Sequence, residues 1–161
     1  SSTVYTYNRK VQSPSVIVKD SEGKSLRNGT DYTVTVPKGR KEIGIYTYTI
    51  NFKGNYAGIV TRSMVINPKA TTLSKVKGYK KYFIAKWKKY NVKNTGYELQ
   101  YSTNARFTSG TKTKAVKSYK TVSLKVKTAK KKYYVRIRTY KRVGGKNYYS
   151  AWSKAKTVKV K

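Results

Sequence analysis

The sequence predicts an all-β chain of two tandem antiparallel β-sandwiches. Three observations predict it. Short alternations of apolar and polar residues recur along the whole length, Gly-containing turns separate them, and no window keeps a helical period over three turns.

The first alternation is TDYTVTV, Thr30–Val36, with Tyr32, Val34 and Val36 on one face. GIYTYTINF, Gly44–Phe52, repeats the pattern with Tyr46, Tyr48, Ile50 and Phe52 inward. PKGRKE lies between them and joins the two as a hairpin, while RNGTD and KGNYAG are further turns. INPKATTLSK, Ile66 to Lys75, reads as a short linker, because Pro68 cannot donate to a sheet ladder and a polar run follows it. This places one module at 1–68 and a second at 69–161.

In the second module the candidate strands are YFIAKWKK, GYELQYS, TKTKAV, TVSLKVK, KYYVRIRTY and a last one through AWSKAKTVKV. KYYVRIRTY splits by parity. Tyr133, Val135, Ile137 and Thr139 form a core face; Tyr134, Arg136, Arg138 and Tyr140 form an outward ladder. Lysines recur at every second position, as Lys75 and Lys77, Lys86 and Lys88, Lys112 and Lys114, Lys125 and Lys127, and Lys154 and Lys156. Each pair therefore decorates one face of a folded strand, and Val122, Leu124 and Val126 are expected to fill the opposite, core face.

Composition narrows the function. Thirty-eight Lys and Arg oppose five Asp and Glu, for a net charge of +33. Ten basic and four acidic residues precede Lys69; the other 28 basic residues and a single acid follow Pro68. Leucine is scarce (Leu26, Leu73, Leu99 and Leu124), and 17 tyrosines supply much of the apolar bulk, with their hydroxyls expected in water. The absence of Cys and His excludes disulfides, thiolate metal sites, Cys nucleophiles and His-based triads. Asp20, Glu22, Asp31, Glu42 and Glu98 suggest no general acid/base pair. The expectation is a chain without enzymatic activity, cofactor or metal. No apolar run approaches the roughly 20 residues of a membrane span. The opening SSTVYTYN suggests a segment of a longer protein, in which the modules act as a monomer.

Residues 72–161 resemble a fibronectin type III domain. The carrying residues are YYVRIR, then GGKNYYSAWSKAKTVKV with its Ser-Ala-Trp-Ser segment, Trp87 in FIAKWKK, and GYELQYS. The resemblance implies a core role for Trp87 and a tyrosine corner at Tyr133. TAKKK departs from the family, which usually has a Leu-x-Pro-Gly-like turn before that Tyr. Residues 1–68, through NGTDYTVTVPKGRKEIGIYTYTINFKGNYAG and VINP, are similar to Ig-like repeats of large surface proteins of Gram-positive anaerobes. Together these imply a secreted, multi-domain protein of the cell surface or cell wall.

Two readings of the ladder compete. It binds a polyanion or stacks on bases or sugars, or it is self-contained, with Trp152 interleaved between arginines and Glu98 pairing one of them; the family geometry favours the latter. The excess charge points outward in any case. Self-repulsion at this density costs stability, so an anionic surrounding is expected, and wall teichoic acid is the economical candidate. The candidate polyanion contacts are Lys86, Lys88, Lys125, Lys127, Lys130, Lys131, Lys132, Arg136, Arg138, Lys154 and Lys156. Thirty Lys against eight Arg suit diffuse point-charge attraction better than bidentate reading. The function expected is a spacer and electrostatic attachment module. The alternatives are an adhesin module for acidic host glycans such as glycosaminoglycans, or accessory domains of a larger secreted enzyme. Non-specific nucleic-acid binding in vitro follows from charge alone, but no groove-reading helix or recognition motif is present. A Lys–Asn isopeptide bond is not expected, since Asp31, Glu42 and Glu98 read as turn or exposed positions.

Overall fold

The computed structural model describes residues 3–92 and 95–161, and every regular element among them is a strand. The chain divides between Asn67 and Pro68 into two compact units.

In the first unit β1 (Thr3–Thr6), β2 (Tyr32–Thr35), β3 (Gly44–Phe52) and β4 (Ile59–Asn67) form one sheet in the order β1-β4-β3-β2. β2, β3 and β4 pair antiparallel, but β1 runs parallel to β4 from Thr3↔Met64 to Thr6↔Asn67. The facing layer is the extended segment 8–31, with isolated bridges at Lys19↔Ser25 and Asn28↔Tyr32. Val18 and Leu26 of that segment pack with Tyr32 and Ile50; Tyr48, Met64 and Ile66 form a second cluster, and Val16 and Val34 touch both. The inward row Tyr46, Tyr48, Ile50 and Phe52 is as the alternation predicts. Val36 is not: it is 46% exposed. β2 ends at Thr35, and Val36 opens the loop that Pro37 continues, because Pro has no N–H to pair.

In the second unit the strands are β5 (Leu73–Tyr79), β6 (Tyr82–Trp87), β7 (Thr95–Ser102), β8 (Lys112–Val116), β9 (Ser123–Lys127), β10 (Lys132–Val143), β11 (Lys146–Tyr149) and β12 (Lys156–Lys159). One sheet runs β5-β6-β9. The other runs β11-β10-β7-β8, with β12 also on β10. Phe83, Ala85, Trp87, Tyr97, Leu99, Val135, Ile137 and Val160 fill the space between them. This sandwich of a three-stranded and a five-stranded sheet is the kind of fold the fibronectin-like segments imply.

Three local readings are corrected. The polar stretch taken as linker extends into a strand, since Leu73 pairs with Trp87 and a bulge at Leu73/Lys75 hides the alternation. Val122 is exposed, and its carbonyl extends the β6–β9 pairing by accepting the Trp87 N–H at 3.0 Å. Two core tyrosines do not leave their hydroxyls in water. Tyr97 donates to the Tyr119 carbonyl at 2.9 Å, and the Tyr133 hydroxyl accepts from Thr128 Oγ1 at 2.8 Å. The corner implied at Tyr133 is thus closed by a side chain of the TAKKK turn.

Arginine ladder and exposed lysine surfaces

β10 pairs with β7 from Tyr134↔Ser102 to Lys141↔Thr95, which sets Arg136 opposite Gln100 and Arg138 opposite Glu98 on the outer face. The Gln100 side-chain carbonyl accepts both Arg136 Nε (2.9 Å) and Nη2 (2.7 Å). Glu98 accepts Arg138 Nε at 2.7 Å and pairs with its charge. Trp152 lies between the two guanidiniums, 4.5 Å from Arg136 and 4.3 Å from Arg138. Phe107 stands 4.1 Å from the Arg136 guanidinium and Tyr149 3.7 Å from that of Arg138. Tyr140 leans on Tyr149 with ring centroids 6.1 Å apart, and Lys132 reaches over Tyr134. From Phe107 through Arg136, Trp152, Arg138 and Tyr149 to Tyr140 the result is a continuous stack of cations and rings, in which each cation–ring contact is worth about 0.5–1 kcal/mol and more where water is excluded. Burial, helped by the Arg138 charge, lowers the Arg136 pKa from its ordinary value. Burial and the neighbouring Tyr149 raise that of Tyr140.

The sequence reading finds Trp152 and Glu98 as partners of this ladder. It misses Phe107, Gln100 and Tyr149. Phe107 comes from a loop with φ +58°, so no periodicity marks it; Gln100 was legible as a polar residue two positions from Glu98 on one strand. The geometry places Arg136 and Arg138 in the sandwich's own stack and leaves them poorly presented as polyanion contacts. Glu98 is neither in a turn nor exposed: it sits mid-β7 under the ladder, its side chain 15% exposed. Asp31 accepts the Arg27 backbone N–H at 2.8 Å, and Glu42 stays exposed.

The lysines behave differently. Lys86, Lys88, Lys125, Lys127, Lys130, Lys131, Lys132, Lys154 and Lys156 are all exposed. They do not converge on one pocket. Lys86, Lys125 and Lys127 share the outer face of β5-β6-β9, Lys130 and Lys131 occupy the β9–β10 turn, Lys132 opens β10, and Lys154 precedes β12, which Lys156 opens, in the other sheet. On the first of these faces Lys75 lies directly opposite Lys86, a like-charge pair that costs stability. Two stacked rings, Tyr79 and Tyr82 at 4.8 Å and 11°, carry Lys77 at 5.4 Å and Lys125 at 4.0 Å. Trp87 is buried against Tyr97, a core residue as its resemblance implies. Among the described residues Arg138–Glu98 is the one ion pair.

The first unit contrasts with this. The outward rows of β2, β3 and β4 read Thr33 and Thr35, then Ile45, Thr47, Thr49 and Asn51, then Ile59, Thr61, Ser63 and Val65, all uncharged.

No family model matches the sequence, and no curated protein matches it. Among solved structures the chain is similar to the chicken CNTN1 FN1-FN3 domains at 12% identity, with a TM-score of 0.44, over 71% of this chain and 42% of that one. The chain thus spans less than half the length of that structure.

Proposed function

We propose that the chain is a non-catalytic, extracellular β-sandwich tandem that acts as a spacer and holds its parent protein against an anionic surface, the Gram-positive cell wall. One observation carries the reading. The second unit has a single carboxylate, Glu98, and that carboxylate is consumed by Arg138, so the positive charge of its lysines is uncompensated within the fold. Lysines on both sheets and at the turns give attraction without orientation. Many weak contacts then sum to retention, and each releases counterions from the polymer. Lysine serves here as a point charge, whereas the fork-shaped guanidiniums are kept inside the stack.

The test is retention of the full chain on purified walls before and after extraction of teichoic acid, at low and high salt. Retention lost on extraction, and falling steeply with salt, supports the reading. Retention that survives both treatments rejects it. Selectivity for heparin over wall polymer at matched charge would favour the glycan-adhesin alternative.

A further inference from the structure

The two sheets of the second unit are sealed along one side and open along the other. On the sealed side the Lys161 N–H donates to the Tyr79 carbonyl and the Lys81 N–H to the Lys161 carbonyl, both at 3.0 Å. Gly78 lies so close that an added Cβ would fall 1.9 Å from the Lys159 carbonyl oxygen. On the open side β8 ends one sheet and β9 ends the other, and neither has a second partner among the described strands. A cleft of about 750 Å³ runs between them.

Four lysines line it, Lys112 and Lys114 from β8 and Lys125 and Lys127 from β9, over a floor that includes Leu124 and Val126. The β8 pair is the informative one. Lys112 pairs with Tyr101, Lys114 with Leu99 and Val116 with Tyr97, and these partners are all core residues. Lys112 and Lys114 therefore leave β8 on its core-facing side, where a sandwich ordinarily places apolar groups. An inward charge on an edge strand does guard against strand addition. Here two inward lysines of β8 are joined by Lys125 and Lys127, which stand at the rim from the outer face of β9. No carboxylate lines the cleft; Glu98 is on the other face of β7.

We propose that this β8–β9 cleft is a binding site for an extended phosphodiester polymer of the poly(alditol phosphate) type. The proposal rests on the wall-attachment reading and gives it a location. Lys112 and Lys114, at alternate positions on β8, are spaced by roughly 6.6–6.8 Å, so a chain with anionic groups at a comparable repeat meets a cation at each step along that wall, with Lys125 and Lys127 at the rim. The aliphatic floor suits a polymer with a slim, flexible backbone. Tyr101 is only 4% exposed, so bases would find no ring on which to stack.

The test uses the full chain and synthetic poly(glycerol phosphate) of defined length, with affinity measured at two salt concentrations. K112Q/K114Q and K154Q/K156Q remove equal charge. The first should weaken binding about tenfold more than the second, because the cleft pair contacts phosphates that the other pair does not. In the unsubstituted chain, bound polymer should protect Lys112, Lys114, Lys125 and Lys127 from acetylation more than Lys154 and Lys156; this readout does not depend on how a variant folds. Equal weakening with uniform protection would overturn the cleft and leave diffuse wall attachment standing. No binding of the unsubstituted chain at low salt would overturn both. Single-stranded DNA of matched charge protecting the same lysines more strongly would overturn the choice of a base-free polymer.

Discussion

Glu98 accepts Arg138 Nε at 2.7 Å, the one ion pair among the described residues of a chain whose net charge is +33. Both side chains are largely covered, at 15% and 23% exposure, so the pair is shielded from the screening that weakens surface bridges. Its placement explains why the second unit keeps a carboxylate at all. Arg136 and Arg138 sit two residues apart on one face of β10, and without Glu98 two guanidiniums would face each other across Trp152 with no counter-charge.

Glu98→Gln should therefore destabilise the second unit by about 1–3 kcal/mol, between the surface and fully buried limits. Chemical denaturation of Glu98→Gln, Arg138→Met and the double variant measures it. The coupling should make the double variant less damaging than the sum of the singles. Strict additivity would show that the pair contributes nothing.

Trp152 separates structure from binding in the ladder. Trp152→Ala removes contacts to both guanidiniums and should cost about 2–4 kcal/mol, while wall retention of the folded variant stays unchanged. Trp152→Phe should recover most of the stability. A Trp152→Ala chain that melts normally but no longer binds would make the ladder a ligand platform.

How much of this was legible follows from what a period can encode. The parity of β10 was readable because strands flank it on both sides, so every second residue must face the core; Tyr133, Val135, Ile137 and Thr139 are all buried. The Trp87 core position and the extent of β3 were readable for similar reasons. Strand order was not. That Lys112 and Lys114 face inward on an edge depends on β8 pairing only with β7, which no alternation states. Phe107 reaches Arg136 from an aperiodic loop, and the parallel β1–β4 pair depends on a crossing of the whole first unit. β11 did have a local signal: Gly144 and Gly145, both at positive φ (54° and 79°), form a two-residue turn between Val143 and Lys146.

Gly78 tests the sealed seam. Any side chain there meets backbone, the Lys159 carbonyl, and not a yielding side-chain tip. Gly78→Ala should cost about 1–3 kcal/mol or more and should increase hydrogen exchange at the Lys161 and Lys81 amides ahead of the core. A variant with unchanged stability and exchange would mean that β5 and β12 are not held together there.

Alkaline unfolding gives a test with a defined sign. Burial raises the pKa of Tyr97 above its ordinary value, against a lowering by the Tyr90 N–H that bonds its oxygen at 2.8 Å. The folded chain then holds a phenolic proton that the unfolded chain releases. The stabilisation is complete below the unfolded value of about 10 and is lost as pH rises through the raised folded value. Tyr97→Phe isolates this effect. At neutral pH it should cost about 1–3 kcal/mol, since the Tyr119 carbonyl and the Tyr90 N–H both lose their partner. Above about pH 10 the unsubstituted chain should lose stability more steeply than the Phe variant, narrowing the gap between their urea midpoints. Parallel curves would show that the Tyr97 proton is not linked to folding.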